Sequence, residues 1–89
     1  MRFIWDEAKR RTNLGKHGLD LARADAVFAG PTFTFPDERF PYGERRFVTV
    51  GLLNGGVVVI AHTETDAEIR VISMRKADRH EQTIFFESL

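Results

Sequence analysis

Hydrophobic and polar positions follow two different periods along the chain, and the helical period lies in the first half. The apolar run RFIW predicts a short first strand. Asp6 then fits the N-cap of a helix, which Gly18 is placed to end in the left-handed conformation. Asp20 caps a second predicted helix, LARADAVFA, which a Gly-Pro pair closes. The first half is therefore predicted as a strand and a helical hairpin.

The second half of the chain carries the two-residue period of β-strands. PTFTFPD, RRFVTVGLL, VVVIAHTE and EIRVISM read as four strands, and NGG between the second and third is a hairpin turn. Asp78 and Glu81 form a capping box that opens a last helix, whose buried face we expect to include Phe85 and Leu89. The order β-α-α-β-β-β-β-α predicts an α+β fold with a small antiparallel sheet and packed helices.

Polar side chains gather near the end of the predicted VVVIAHTE strand. Alternation puts His62 and Glu64 on one face of the sheet. Strict alternation in the next strand puts Arg70 on one face and Ser73 and Arg75 on the other. The connecting turn returns Arg70 to the end of the preceding strand. We therefore expect His62, Glu64 and Arg70 to converge at one end of the sheet.

These side-chain types suit cleavage of RNA without a metal ion. A base removes the 2′-hydroxyl proton, an acid protonates the leaving 5′-oxygen, and an arginine stabilises the charge on phosphorus. The alternative is an ordinary exposed pair of Glu64 and Arg70, which contributes under about 1 kcal/mol. HTETD also reads as a metal cluster, but strand spacing sets its ligands in a row. Ser73 has no base placed beside it and is disfavoured as a nucleophile.

Composition limits the class of protein. The 89 residues are 43% hydrophobic and include eight Phe, which predicts one domain, residues 1–89, with its own core. No cysteine is present, so a disulfide scaffold and a cysteine zinc site are excluded. The start, MRFIWDEAKRR, lacks the apolar stretch of a signal peptide, and nothing later resembles a membrane span, so we expect a cytoplasmic protein. The 13 basic and 13 acidic residues argue against a protein that coats nucleic acid through its overall charge.

Several motifs in order along nearly the whole chain resemble one family. They are Trp-Asp, Asn-x-x-Lys-His-Gly, Ala-x-x-Val-Phe, Glu-x-Arg, His-Thr-Glu and Arg-x-Ile-Ser-x-Arg. None is distinctive alone, but the string resembles the BrnT family of type II toxins. The resemblance implies a RelE-like fold and a ribonuclease that stops translation and needs no metal or cofactor. It also implies a BrnA-like ribbon-helix-helix antitoxin, which forms a heterotetramer with the toxin and alone contacts DNA.

The family's conserved polar positions map onto Lys16, His17, His62, Glu64, Arg70 and Arg75. We take four of them as candidate catalytic residues, namely His62, Glu64, Arg70 and Arg75. Lys16 and Arg79 are candidate RNA-binding residues, and the sequence indicates no metal ligand. His17 we interpret as a structural helix cap.

Two positions depart from the family pattern. Thr65 stands where an arginine commonly follows His-Thr-Glu, and Phe85 stands where the last helix often has a tyrosine. These departures favour an alternative in which the chain is a catalytically weakened homologue that acts as an interaction module in an antitoxin repressor complex. For the partner we expect a sheet edge near Phe33, Phe35, Phe40 and Tyr42, with Phe33 and Phe35 themselves buried. We also expect an acidic contact around Asp37, Glu38 and Glu44.

Overall fold

Five strands form one sheet, and three α-helices pack on it, in the predicted element order. In the computed structural model, which describes residues 1–89, the strands are β1 (Arg2–Trp5), β2 (Thr32–Asp37), β3 (Arg46–Leu53), β4 (Gly56–Glu64) and β5 (Glu68–Lys76). The helices are α1 (Glu7–His17), α2 (Ala24–Phe28) and α3 (Arg79–Glu87), and a 3-10 turn covers Leu21–Arg23. None of the helices is long and apolar enough to cross a membrane.

The helix boundaries follow the predicted capping residues. The Asp6 carboxylate accepts a hydrogen bond from the Lys9 N–H at 3.0 Å and begins α1. Gly18, at φ 68°, ends it by donating its N–H to the Leu14 carbonyl. Asp20 also caps as predicted, but it opens the 3-10 turn that precedes the short α2 rather than a continuous helix. Both halves of the capping box at the start of α3 are formed.

The strand order in the sheet is β1-β5-β4-β3-β2. The four later strands pair antiparallel with their neighbours, as predicted, whereas β1 pairs parallel to β5. The β4–β5 register is interrupted once, because Ala61 pairs with Ser73 while His62 pairs with Val71. Ile72 is thus the extra residue of a β-bulge.

Each face of the sheet has its own apolar cluster. The helical face packs against the 3-10 turn and α2 through Leu21, Ala24, Val27, Leu53, Val58, Ile60, Ile69, Val71 and Met74. The α3 face has the smaller cluster of Val48, Val50, Val59, Ala77 and Phe85. A Cβ on Gly51 would lie 2.7 Å from Val27 Cγ1, so glycine at this position allows α2 to approach the sheet closely. The α3 face is covered only in part and leaves β4 and β5 accessible beyond the helix.

Two predictions about buried aromatic and apolar residues are wrong. Phe33 and Phe35 are 36% and 37% exposed, because β2 is an edge strand and α3 does not reach over it. Leu89 is 69% exposed beyond the end of α3, whereas Phe85 is completely buried as predicted.

Candidate functional site

The β-bulge at Ile72 changes which side chains share a face of the sheet. Val71 and Met74 both pack into the cluster of the helical face, although their positions are three apart and strict alternation would put them on opposite faces. Arg70, Ser73 and Arg75 consequently all lie on the α3 face. His62 and Glu64 share the helical face, as predicted, since they pair with Val71 and Ile69. The expected convergence of Arg70 with these two residues is therefore wrong.

His62 is a core residue and has no access to substrate. It is completely buried, and its Nε2 shares a 2.7 Å hydrogen bond with the Thr49 hydroxyl. Its ring lies 5.2 Å from the Phe28 ring and 5.9 Å from the Phe47 ring, measured between centroids. Desolvation lowers the pKa of the imidazole, so it is held neutral. The prediction of His62 as a proton-transfer group at the surface is corrected accordingly.

Glu64 and Arg70 lie close to each other in the β4–β5 register, but their side chains are on opposite faces of the sheet. Glu64 is exposed and forms no hydrogen bond or ion pair. Arg70 donates to both Glu44 carboxylate oxygens, at 2.6 and 2.8 Å, and its Nε donates to the Thr63 hydroxyl at 3.3 Å. The pKa of Glu44 is lowered chiefly by the hydrogen bonds from Arg70. The Arg70 guanidinium is therefore already engaged, and the carboxylate beside it is that of Glu44, not that of Glu64.

A groove between α1 and the bulge of β5 collects cations that have no acidic partner. Its walls are Ala8, Lys9, Thr12, Asn13, Lys16 and His17 from α1, with Ile72 and Ser73 from β5. The side chains of Lys9, Lys16 and His17 form no hydrogen bond or ion pair. The imidazole of His17 is half-buried and does not cap α1, because the Gly18 backbone N–H alone satisfies the Leu14 carbonyl. We refer to this feature as the α1 groove.

A second groove lies on the α3 face and contains two arginine–carboxylate pairs. Arg75 donates to both oxygens of Glu81 at 2.7 and 2.8 Å. Arg39 does the same to Asp37 at 2.8 and 3.0 Å, and the Tyr42 hydroxyl adds a third bond. Hydrogen bonds from Arg39 lower the pKa of Asp37 to about 2, and those from Arg75 lower the pKa of Glu81. We refer to this feature as the α3 groove.

Ser73 lines both grooves and joins them across the sheet. The structure therefore brings two of the candidate residues, Lys16 and Arg75, to two sides of Ser73. Arg70 lies on the other side of Ser73 from Arg75, since its partner Thr63 and the Arg75 partner Val59 are each two residues along β4 from Ala61, the partner of Ser73, but Arg70 lines neither groove. Arg79 is exposed in the first turn of α3 and lines neither groove.

Three residues of this region were missed by reasoning from the sequence. Arg39 lies in the loop between β2 and β3, whose path no pattern predicts, and Ser73, disfavoured as a nucleophile from the sequence, lines both grooves because of the bulge. Asn13 was passed over as part of a helix, but it is the only buried residue of α1. Its burial is signalled in the sequence only by its place in Asn-x-x-Lys-His-Gly. No group of three histidine, aspartate or glutamate side chains is arranged to hold a metal ion.

The two positions that depart from the family pattern have structural roles. The Thr65 hydroxyl accepts hydrogen bonds from the Ala67 and Glu68 N–H groups and organises the β4–β5 turn. Phe85 is completely buried in the α3-face cluster, where a hydroxyl would lie among apolar side chains. Neither residue lines the α1 groove or the α3 groove, so neither removes a polar group from the region around Ser73.

Comparisons with known proteins agree with the motif pattern and with the fold. Residues 5–81 match the model of the ribonuclease toxin BrnT of type II toxin–antitoxin systems. The crystal structure of the Brucella abortus ribonuclease toxin BrnT is similar at 34% sequence identity with a TM-score of 0.72. The alignment covers 89% of this chain and 99% of that one. No curated protein shows significant similarity. The chain belongs to the BrnT family of ribonuclease toxins of type II toxin–antitoxin systems.

Proposed function

We propose that the chain cleaves RNA at Ser73, where the α1 groove and the α3 groove meet, and that this cleavage inhibits translation. The observation that carries the proposal is the pair of unpartnered lysines, Lys9 and Lys16, in the same groove as the bulged strand. Unpaired cations in a concave surface attract a phosphate backbone. Arg70, beside the turn between β4 and β5, is by contrast already bound by the Glu44 carboxylate. Arg75 faces Ser73 from the other side.

The chemistry uses this chain's own side chains. The 2′-hydroxyl passes its proton to the His17 imidazole as the 2′-oxygen forms a bond to the adjacent phosphorus, the bond from phosphorus to the 5′-oxygen breaks, and the 5′-oxygen takes up a proton from solvent. Lys16 and Arg75 stabilise the charge that builds on the phosphate oxygens, with Arg75 exchanging Glu81 for the phosphate. We assign proton transfer to His17, which lies in the α1 groove with a free imidazole, instead of His62 or Glu64.

Cleavage without a metal ion is supported by the donor set of the α1 groove. Its walls contain two lysines, a histidine, an asparagine and hydroxyls but no carboxylate. Divalent cations that serve phosphate chemistry are bound through one or two carboxylates, and the lysines already supply positive charge. The reaction is therefore expected to proceed in the presence of a chelator.

The decisive experiment follows cleavage of a labelled single-stranded oligoribonucleotide in EDTA. We expect product ending in a 2′,3′-cyclic phosphate, and a fall in kcat/KM of about 100-fold for both Lys16→Ala and Arg75→Ala. The matched control is Glu64→Ala, which we expect to stay within about twofold of the original chain. Loss of cleavage in EDTA overturns metal independence. If the Lys16→Ala variant still cleaves RNA and the Glu64→Ala variant does not, the proposed site at Ser73 is contradicted.

Intact RNA with the original chain, under conditions where the protein still binds its antitoxin, would instead establish the weakened homologue that acts as an interaction module. The structure lends that alternative no support, because Thr65 and Phe85 have local structural roles. A growth assay with induced expression distinguishes the same two outcomes in cells, since only an active nuclease arrests growth and breaks total RNA.

The antitoxin partner is proposed to be a BrnA-like ribbon-helix-helix protein that alone contacts DNA and forms a heterotetramer with the toxin. Support comes from β2, an edge strand with free backbone groups and half-exposed Phe33 and Phe35. Asp37 is unsuited to the expected acidic contact, because it is 8% exposed and bound to Arg39 and Tyr42.

Affinity and mass measurements test the partner proposal. Phe33→Ser with Phe35→Ser is expected to weaken antitoxin binding at least tenfold. Phe86→Ser is the matched control, because Phe86 is 55% exposed on α3, away from β2, and we expect no change there. Equal affinity for both variants contradicts the β2 interface. Light scattering is expected to give the mass of two toxins and two antitoxins.

A further inference from the structure

Asn13 connects α1 to β5 through a set of buried hydrogen bonds. Its side-chain Nδ2 donates to the Met74 carbonyl at 2.8 Å and to the Leu19 carbonyl at 2.9 Å. Its Oδ1 accepts from the Met74 N–H at 3.1 Å. The residue is 6% exposed, although the rest of α1 is exposed or half-buried. The helix is thus held on the sheet by a polar side chain in place of an apolar face.

The reason for this contact lies at the edge of the sheet. β1 pairs with β5 only as far as Trp5 and Val71, so the edge of β5 beyond the bulge has no neighbouring strand. Without Asn13, the buried N–H and the buried carbonyl of Met74 on this edge would have no hydrogen-bond partner, at a cost of roughly 1–3 kcal/mol for each group. A carboxamide presents one acceptor and two donors, as a facing peptide group does. Asn13 therefore stands in for a strand residue.

We propose that Asn13 is a positioning residue for RNA binding in the α1 groove. Met74 follows Ser73 directly, and Lys16 lies three residues after Asn13, one turn along the same helix. The amide contact consequently fixes the turn of α1 from which the Lys16 and His17 side chains extend, relative to the bulge. This inference rests on the proposed function, since it concerns the same groove, and it extends that function to a residue without charge or substrate contact.

The test is a double-mutant cycle of Asn13→Ala and Lys16→Ala, read as binding of a 2′-O-methyl oligoribonucleotide, which cannot undergo attack by its 2′-oxygen. Lys16→Ala is expected to weaken binding about tenfold at low salt and to reduce the salt-dependence slope by about one. Asn13→Ala is expected to produce the same two changes, although it removes no charge. The double variant is expected to bind no more weakly than Lys16→Ala alone, because both changes act through one contact.

Val50→Ala is the matched control for lost stability. Val50 is buried in the α3-face cluster and lines neither groove, so its variant is destabilised while affinity and salt slope stay at their original values. If Asn13→Ala fails to fold, the neutral Asn13→Ser, which keeps a hydroxyl near Met74, takes its place in the cycle. Original affinity and slope in the folded Asn13 variant, or additive effects in the cycle, overturn the positioning role.

Different results would contradict RNA binding in the α1 groove and the positioning role of Asn13. A slope that Lys16→Ala leaves unchanged overturns RNA binding in the α1 groove, and the role of Asn13 falls with it. A slope that Lys16→Ala reduces but the Asn13 variant does not overturns only the positioning role.

Discussion

The two ends of β5 carry similar residues in opposite situations. At the hairpin end, Arg70 is bound by Glu44 and Thr63, and Glu64 extends into solvent from the other face. Past the bulge, Lys16 and His17 border Ser73 with no protein partner, while Arg75, which Glu81 binds, faces the same residue from the α3 groove. The hairpin end has the composition of an active site without its geometry. The bulge end has the geometry, although its residues are dispersed in the sequence.

The difference arises from one inserted residue. Because side chains alternate with a period of two, an extra residue in one strand reverses the faces of everything after it. Ile72 makes this reversal, so Ser73 and Arg75 join Arg70 on the α3 face and Met74 returns to the core of the helical face. Strand bulges beside functional groups re-aim side chains, and here the re-aimed residues line both grooves.

The largest effect on cleavage is expected from deleting Ile72. Ser73 then follows Val71 directly, and plain alternation still places Ile69, Val71 and Met74 on the helical face, so β5 keeps its core residues while the α1 groove loses the bulge that forms part of its wall. We expect a folded protein in circular dichroism and a fall in RNA cleavage of more than about 100-fold. Ile72→Ala keeps the extra residue and is expected to cost about 1 kcal/mol in the free energy of unfolding at this half-buried position. Cleavage by the deletion variant at the original rate would show that the bulge is dispensable.

The sequence predicts the fold well because its signals are local. Asp6, Gly18 and the Asp78 capping box act within a few residues of themselves, and all three hold in the structure. The hairpin turn between β3 and β4 also forms, with positive φ at Asn54 and Gly55. Element order could therefore be predicted residue by residue without knowing the packing.

The site could not be predicted in the same way because it depends on register. In IRVISMR the apolar–polar alternation changes phase at two adjacent apolar residues, Val71 and Ile72, but the letters alone do not mark which of them is unpaired. Strict alternation across this step places Arg70 on the wrong face, and Ile72 is identified as the extra residue only when Ile69, Val71 and Met74 are known to share one cluster. Burial of His62 is also a packing result, since its strand position alone does not reveal that Phe28 and Phe47 cover it.

The next largest effect is expected for His62→Ala, which distinguishes a role of this residue in the core from a role in RNA cleavage. Removing this buried ring leaves a cavity beside Phe28 and Phe47, and we expect a loss of about 3 kcal/mol in the free energy of unfolding with RNA cleavage per folded molecule retained. His80→Ala, at an exposed position of α3, is the control and is expected to change stability by under about 0.5 kcal/mol. If the folded His62→Ala variant did not cleave RNA, His62 would have to be assigned a role in the active site.

The same histidine predicts a pH dependence of stability. Desolvation lowers the pKa of His62 in the folded protein, so the unfolded chain binds the proton more readily. Stability is therefore complete above about pH 6.5, the ordinary histidine pKa, and falls as the pH drops below it. Urea titrations between about pH 5 and about pH 7 are expected to show this fall in stability in the original chain and a smaller fall in His62→Ala. Equal slopes would contradict the assignment.

A smaller effect is expected for Asp37→Asn in the α3 groove. Arg39 and Tyr42 lower the pKa of this carboxylate to about 2, so its stabilisation is present above the unfolded value of about 3.9 and is lost as the pH falls toward 2. We expect a cost of about 1 kcal/mol at neutral pH, because the Arg39 side chain is 68% exposed and solvent screens the pair. Glu38→Gln, at an exposed neighbouring position, is the control. A difference between Asp37→Asn and the original chain that persists at pH 2 contradicts the cause given.

The smallest effect is expected at Glu64, and this makes it the sharpest comparison between the two ends of β5. Glu64 has no hydrogen bond or ion pair, lies on the helical face, and is separated from Arg70 by the sheet itself. Glu64→Gln is therefore expected to change the free energy of unfolding by under about 0.5 kcal/mol and cleavage by under about twofold. Lys16→Gln makes an equally conservative change at the bulge end and is expected to lower cleavage strongly. A reversal of these two results would move the reaction to the hairpin end, where Glu64 would have to reach RNA around the edge of the sheet.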